Sequence, residues 1–284
     1  MHHFAYRQGT LHAEEVSLAD LAVSVGTPLY CYSTATLQRH IRVFGDAFAG
    51  NDALVCYSVK ANSNLGVLAT LAREGAGMDI VSEGELRRAL HVGVAPDRIV
   101  FSGVGKTQAE MAFALRQGIF AFNVESEPEL RRLSETATAL GRQARIALRV
   151  NPDVDAQTHH KIATGKAENK FGIPFAQALP LYRLARELPG IEVSGVHMHI
   201  GSQITDLAPF RNAFALLKEL VGELRAQGFE IGFANLGGGL GVPYRSDSPA
   251  PPLPEQYASL VKDEIGGQIG RASCRERVSL VVVL

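Results

Sequence analysis

The chain of 284 residues carries 28 Lys+Arg against 29 Asp+Glu, a formal net charge of −1, with 46% apolar side chains and no Trp. Such a composition gives a globular protein with an ample core, and the length admits either two domains or one α/β barrel of about 250 residues. It supplies no basic field for a nucleic-acid backbone. Residues 1–13 lack an apolar stretch and the run 278–284 is too short to span a bilayer, so neither a membrane nor a nucleic-acid partner is expected. Cys31, Cys56 and Cys274 are far apart without C-x-x-C spacing, which argues against a disulfide framework or a cysteine zinc site and fits a reducing cytoplasm.

In chain order, 28–32 reads as a strand and 33–48 as a helix. From 53 onward β-branched or apolar runs alternate with helical patterns, the sign of parallel strands joined by crossover helices. Seven runs read as strands: 53–58, 77–81, 98–102, 119–124, 145–150, 192–199 and 230–236. Ser82 with Glu85 and Ser126 with Glu129 have the spacing of capping boxes. Between 206 and 227, Leu207, Phe210, Phe214, Leu217, Val221 and Leu224 recur at helical spacing, and Gly228 stands where a C′ glycine ends the helix. The stretch 151–169 is polar and punctuated by glycine, a long connection of the functional or flexible kind, and the Pro-rich 247–254 reads as a surface linker.

Repeated βα units leave an open doubly wound sheet or a closed (β/α)8 barrel. No G-x-G-x-x-G follows the first strand, so the dinucleotide-binding sheet loses its main support.

Residues able to carry chemistry gather at the predicted C-terminal strand ends, where barrel active sites lie. Lys60 follows the first barrel strand and can form a Schiff base with a carbonyl; a snorkelling surface lysine is the plain alternative. Gly237, Gly238 and Gly239 follow the seventh strand, at the usual barrel phosphate position, though tight turns also require glycine. His197 and His199 share one face by period-2 geometry. A zinc site would need a third ligand such as His159 or His160, so no metal is expected, and hydrogen-bonded core histidines are the alternative. Asp79 and Arg149 are charges inside apolar strands, to be paired or used. A lysine, a flat histidine and a glycine cradle at one mouth are what pyridoxal 5′-phosphate requires.

At these residues the sequence resembles the pyridoxal-phosphate-dependent decarboxylases with an alanine-racemase-like TIM barrel, and among them the diaminopimelate decarboxylase family. The motifs are Tyr57-Ser-Val-Lys60-Ala-Asn62, Gly77-Met-Asp79-Ile-Val-Ser-Glu-Gly-Glu85, Phe101-Ser-Gly-Val-Gly-Lys106, Asn151-Pro-Asp-Val154, His197-Met-His199-Ile-Gly-Ser202-Gln203 and Leu236-Gly-Gly-Gly-Leu-Gly241. The resemblance implies that Lys60 bonds the cofactor aldehyde, His199 stacks on its ring, Ser202 and Gly239 with the adjoining glycines hold the phosphate, and Asp79 and Arg149 support Lys60 and the ring. It implies a homodimer that converts meso-2,6-diaminopimelate to L-lysine and CO2. Residues 1–32 would belong to the family's β-domain, 33–265 to the barrel, and 266–284 to an atypical tail.

The sequence departs from the family after about 266, where Glu-Pro-Gly-Arg is expected and Gly266-Gly-Gln-Ile-Gly-Arg271 stands instead. The tail therefore reads as truncated or foreign, with the native eighth strand and the C-terminal β-domain missing and Cys274 not the family's catalytic cysteine. Impaired turnover with surviving cofactor capture is the expectation. Strands one and seven would be open edges prone to aggregation, unless the apolar 278–284 takes the vacant place. Ornithine, arginine or carboxynorspermidine decarboxylases, and a non-catalytic pyridoxal-phosphate carrier, are the alternatives.

Overall fold

The computed structural model describes residues 2–153, 171–243, 250–269 and 279–283. Three short strands, β1 (Phe4–Arg7), β2 (Thr10–Ala13) and β3 (Val16–Ser17), form an antiparallel sheet that leads into α1 (Leu18–Val25). The lead-in is tied to α2 (Thr34–Ala47) by Glu14, whose Oε1 accepts from the Ser33 hydroxyl at 2.7 Å and the Ala35 N–H at 2.9 Å. The strand expected over 28–32 does not form: the segment has no sheet partner among the described residues, and Tyr30 is 89% exposed. An apolar run without a neighbouring strand has nothing to satisfy its backbone groups except water.

The βα alternation then runs β4 (Ala53–Ser58), α3 (Leu65–Arg73), β5 (Gly77–Ile80), α4 (Glu83–His91), β6 (Ile99–Phe101), α5 (Gln108–Gln117), β7 (Ala121–Val124), α6 (Glu127–Ala139) and β8 (Ala144–Asn151). After the two-residue β9 (Ile173–Pro174), which pairs with the end of β8, come α7 (Phe175–Glu187), β10 (Ile191–His197), α8 (Ala208–Ala226), β11 (Phe233–Asn235), α9 (Pro254–Ile269) and β12 (Ser279–Val283). All seven sequence-predicted barrel strands are present with ends moved by a few residues.

The parallel order β4-β5-β6-β7-β8-β10-β11-β12 closes on itself, because β12 pairs with both β11 and β4. The open edges expected at strands one and seven are therefore absent, and the apolar end of the chain occupies the eighth position. Leu280 lies opposite Ala53 and Ala234, and Val281 opposite Leu54 and Asn235. The boundary expected between 265 and 266 falls within the continuous helix α9.

Burial on both faces explains the composition of the central strands: β5, β6 and β7 are buried at every position. The N-terminal end of the barrel is plugged by Phe120 and Phe233, whose rings meet edge to face at 5.0 Å, with the Arg145 guanidinium 4.4 Å above Phe120. Gly195 is required there, since a Cβ on it would lie 2.4 Å from the Phe233 ring. Outside, Phe210 and Phe214 of α8 and Phe44 of α2 gather around Tyr257 of α9. The predicted amphipathic helix is α8, and it ends in a Schellman motif, with Phe229 N–H on Leu224 O at 3.1 Å and Gly228 N–H on Arg225 O at 2.9 Å.

The two predicted capping boxes form differently from expectation. Ser82 and Ser126 accept from the N–H groups of Glu85 and Glu129, but each glutamate reaches past the cap to the preceding residue: Glu85 to Val81 N–H at 2.8 Å, Glu129 to Glu125 N–H at 3.0 Å. The reciprocal box belongs instead to Thr107 and Glu110 on α5. Most of 151–169 and the first three residues of 247–254 lie outside the described residues.

Candidate active site

A cavity of about 460 Å³ opens at the C-terminal ends of the barrel strands. Lys60, Asp79, Arg149, His199, Ser202, Gly237, Gly238 and Gly239 all line it. Closure of the barrel is what gathers residues spread over 180 positions of sequence: each sits at or just beyond the end of a parallel strand, and parallel strands end together on one face.

Lys60 lies on the single 3-10 turn Val59–Ala61 that follows β4, exposed at the mouth. Its amine has no hydrogen bond or ion pair among the described residues. Asp79, opposite Ser58 in the register of β4 and β5, is buried. Its carboxylate accepts from Ser102 Oγ at 2.5 Å, and Ser102 in turn accepts from Asn123 Nδ2 at 2.9 Å. Burial pushes the Asp79 carboxyl up to about 6, against the pull of Ser102, Lys60 and Arg149. Asp79 thus faces the amine electrostatically, while its direct partner is a hydroxyl.

His197 ends β10 and His199 follows it, both on the cavity side. Nδ1 of His199 accepts from the Gly238 backbone N–H at 3.3 Å, which assigns the ring proton to Nε2. Burial, reinforced by Arg149 and Lys60, holds His199 down at about 3, and lowers His197 well below its ordinary value for similar reasons. Both rings are therefore neutral near pH 7. Among the described residues no group of three or more His, Cys, Asp and Glu side chains is placed to hold a metal ion; His159 and His160 lie outside them.

The glycine loop after β11 is packed too closely for any side chain. A Cβ on Gly237 would meet Met198 O at 2.6 Å, one on Gly238 would meet Val283 O at 2.3 Å, and one on Gly239 would meet Gly201 O at 2.1 Å. Gly237 and Gly239 also have φ of +65° and +112°. The loop is zipped to the segment carrying Ser202 through Ile204 N–H to Gly239 O at 2.8 Å and Gly241 N–H to Ile204 O at 2.9 Å. Close crossing of two backbones, more than approach to an anion, demands these glycines. Gly237 N–H goes to Asn235 Oδ1 at 2.9 Å and Gly238 N–H to His199, whereas Gly239 N–H has no acceptor among the described residues.

The sequence reading missed a buried charge chain behind the site. Arg149 Nη1 donates to Glu125 Oε2 at 2.8 Å, Glu125 N–H donates to Glu129, and Glu129 Oε1 receives Lys106 Nζ at 2.7 Å. Lys106 also donates to the carbonyls of Gly103 and Asn123, so all its protons are used. Arg149 is thus paired, with a carboxylate supplied just beyond a neighbouring strand. A charge immediately after the apolar run of β7 was the available signal for Glu125, the same signal that drew attention to Lys60.

These residues suit a flat, polar, anionic ligand with an aldehyde. They offer an unengaged amine, a neutral ring with a fixed tautomer, a hydroxyl and a backbone N–H at a glycine cradle. Among the described residues, three cavity-lining side chains also have buried atoms without partners, Ser58 Oγ, Arg149 Nε and His197 Nδ1. Fold and site together define a pyridoxal-phosphate-binding barrel. The family model for the pyridoxal binding domain of pyridoxal-dependent decarboxylases matches residues 34–278, and the chain belongs to that family.

Diaminopimelate decarboxylase of Vibrio cholerae is 54% identical over 266 residues, covering 93% of this chain and 63% of that protein. The structure of diaminopimelate decarboxylase from M. jannaschii in complex with L-lysine superposes with a TM-score of 0.89 at 36% identity, covering 99% of this chain and 65% of that one. Lysine/ornithine decarboxylase from Vibrio vulnificus, at 21% identity and a TM-score of 0.75 over 94% of this chain and 66% of that one, shares the fold. The chain thus spans slightly less than two thirds of the length of the curated relative.

Proposed function

We propose that this barrel binds pyridoxal phosphate for the decarboxylation of meso-2,6-diaminopimelate to L-lysine and CO2. The observation that carries the reading is the convergence of Lys60, His199 and the Gly237, Gly238 and Gly239 loop on one cavity. Bound there, the cofactor would supply an electron sink for the pair left behind when the α-carboxylate departs as CO2.

The chain's own residues divide the remaining work. Lys60 is the amine for the aldehyde carbon, and it lies where Asp79 and Glu85 can attract its charge. His199, neutral and fixed by Gly238, presents a flat face. Gly239 N–H and the Ser202 hydroxyl are the donors for the phosphate, and Arg149 brings its positive charge to the cavity wall. The preference for diaminopimelate over ornithine or arginine rests on the His197-Met198-His199-Ile200-Gly201-Ser202-Gln203 pattern and on relatives with that activity at about half identity. By the same likeness, residues 1–32 belong to a β-domain and the enzyme is a cytoplasmic homodimer.

Adding pyridoxal phosphate to the purified chain should produce a visible absorbance band. Borohydride treatment followed by peptide mapping should place the label on Lys60, and the reduced CO2 release that this chain retains should favour meso-diaminopimelate over ornithine. Label on another lysine removes Lys60 from the site, and a preference for ornithine overturns the substrate.

A further inference from the structure

Behind the cavity wall, the residues 103, 106, 125 and 129 form a closed clamp. Glu125 uses both carboxylate oxygens, Oε1 accepting from Gly103 N–H at 2.9 Å and Oε2 from Arg149 Nη1 at 2.8 Å. Its backbone N–H is held by Glu129, which is held by Lys106, which returns to Gly103 O at 2.7 Å. The Glu125 and Arg149 side chains are 2% and 9% exposed, so the pair is desolvated. Arg149 is anchored through Nη1, yet among the described residues its buried Nε has no partner, and the residue lines the cavity. An arginine fixed at one nitrogen and unsatisfied at another, beside a cavity, retains a donor that its protein neighbours leave unused.

We propose that Glu125 is a positioning residue for the cofactor site, acting through Arg149: it aims the guanidinium at the cavity and cancels its charge. This rests on the reading that the cavity takes pyridoxal phosphate on Lys60. Among the described residues, the other charged or titratable groups around Arg149 and the cavity are Lys60 after β4, Asp79 on β5, Glu85 on α4, Lys106 ahead of α5, Glu129 on α6, and His197 and His199 at the end of β10. Asp79 and Glu85 lie on the Lys60 side and Glu129 already holds Lys106, so among the described residues Glu125 is the carboxylate in contact with Arg149. Replacing it by an amide leaves one uncompensated positive charge beside the ligand, and a positive charge opposes protonation of its neighbours.

The test follows the visible absorbance of the protein-bound cofactor against pH in the wild-type chain, E125Q, E125D, R149M and E125Q/R149M. The midpoint should fall by about one pH unit in E125Q, a tenfold change in proton concentration for a single charge at this range. E125D, which retains the carboxylate, should recover most of the shift, and R149M should titrate alike with or without E125Q, because a carboxyl group buried without its cation is held neutral. An unmoved midpoint in E125Q, or the same shift in both backgrounds, overturns the proposal. Where E125Q alone fails to fold, R149M against E125Q/R149M decides: coincident midpoints uphold it and separated ones overturn it. A wild-type chain that captures no cofactor sinks the functional reading and this proposal with it, whereas captured cofactor with an unmoved midpoint sinks the proposal alone.

Discussion

Nδ1 of His199 and the backbone N–H of Gly238 meet at 3.3 Å, joining the segment after β10 to the loop after β11. The bond selects the ring tautomer, and burial keeps the ring neutral down to about pH 3. Gly238 can serve in this way because nothing projects from it toward Val283 O.

Gly238→Ala should therefore cost about 1–3 kcal/mol, the usual range for overpacking against an unyielding neighbour, because its Cβ would lie 2.3 Å from a backbone oxygen. Urea denaturation measures the cost. A variant as stable as wild type would show that β12 gives way readily at this point.

His199→Ala should weaken pyridoxal phosphate capture up to about tenfold, the scale of one aromatic stacking contact, and His199→Phe should weaken it less. Capture by the wild type should not change through His199 titration between pH 5 and 8, since that ring is already neutral there. Equal affinities for Ala and wild type would remove the stacking role.

Asp79 keeps its proton up to about pH 6 when folded, against an ordinary value of 3.8. The folded state binds more protons than the unfolded state between those values, so this residue makes the wild type lose stability as pH rises from about 4 to 6. Asp79→Asn has no such loss. The stability of the variant relative to wild type should climb by about 3 kcal/mol between pH 4 and 7 for a shift of about two units. A difference that stays flat across this range would contradict the burial argument.

Lys106→Met should destabilise the chain by about 3–5 kcal/mol, because it strands the Glu129 carboxylate, whose protonation burial already favours. Adding Glu129→Gln should recover part of the loss. Chemical denaturation of the two variants gives the comparison, and a double variant worse than the single one would mean that the two residues are not coupled.

The strands were legible because parallel barrel strands are buried on both faces and so leave uninterrupted apolar runs, as in β5 and β7. Lys60, Asp79, Arg149 and His199 were legible for the complementary reason: a charged or polar residue at such a run's end stands out. Glu125 gave the same signal but stood directly ahead of the Ser126 and Glu129 capping pattern, between a strand and a helix start, where an acidic residue is ordinary. Residues 28–32 misled because an apolar, aromatic run promises a strand only where a neighbouring strand exists to pair with it.

Sequence alone determined the βα alternation, the motif residues and the end of the barrel to which they belong, since these depend on periodicity and order along the chain. Tertiary structure decided the contacts made across that order: Arg149 with Glu125, His199 with Gly238, and β12 between β11 and β4. Pairing of charges, choice of tautomer and closure of a sheet all depend on distances between residues far apart in sequence. No local pattern encodes those distances, and only packing the strands into one ring sets them.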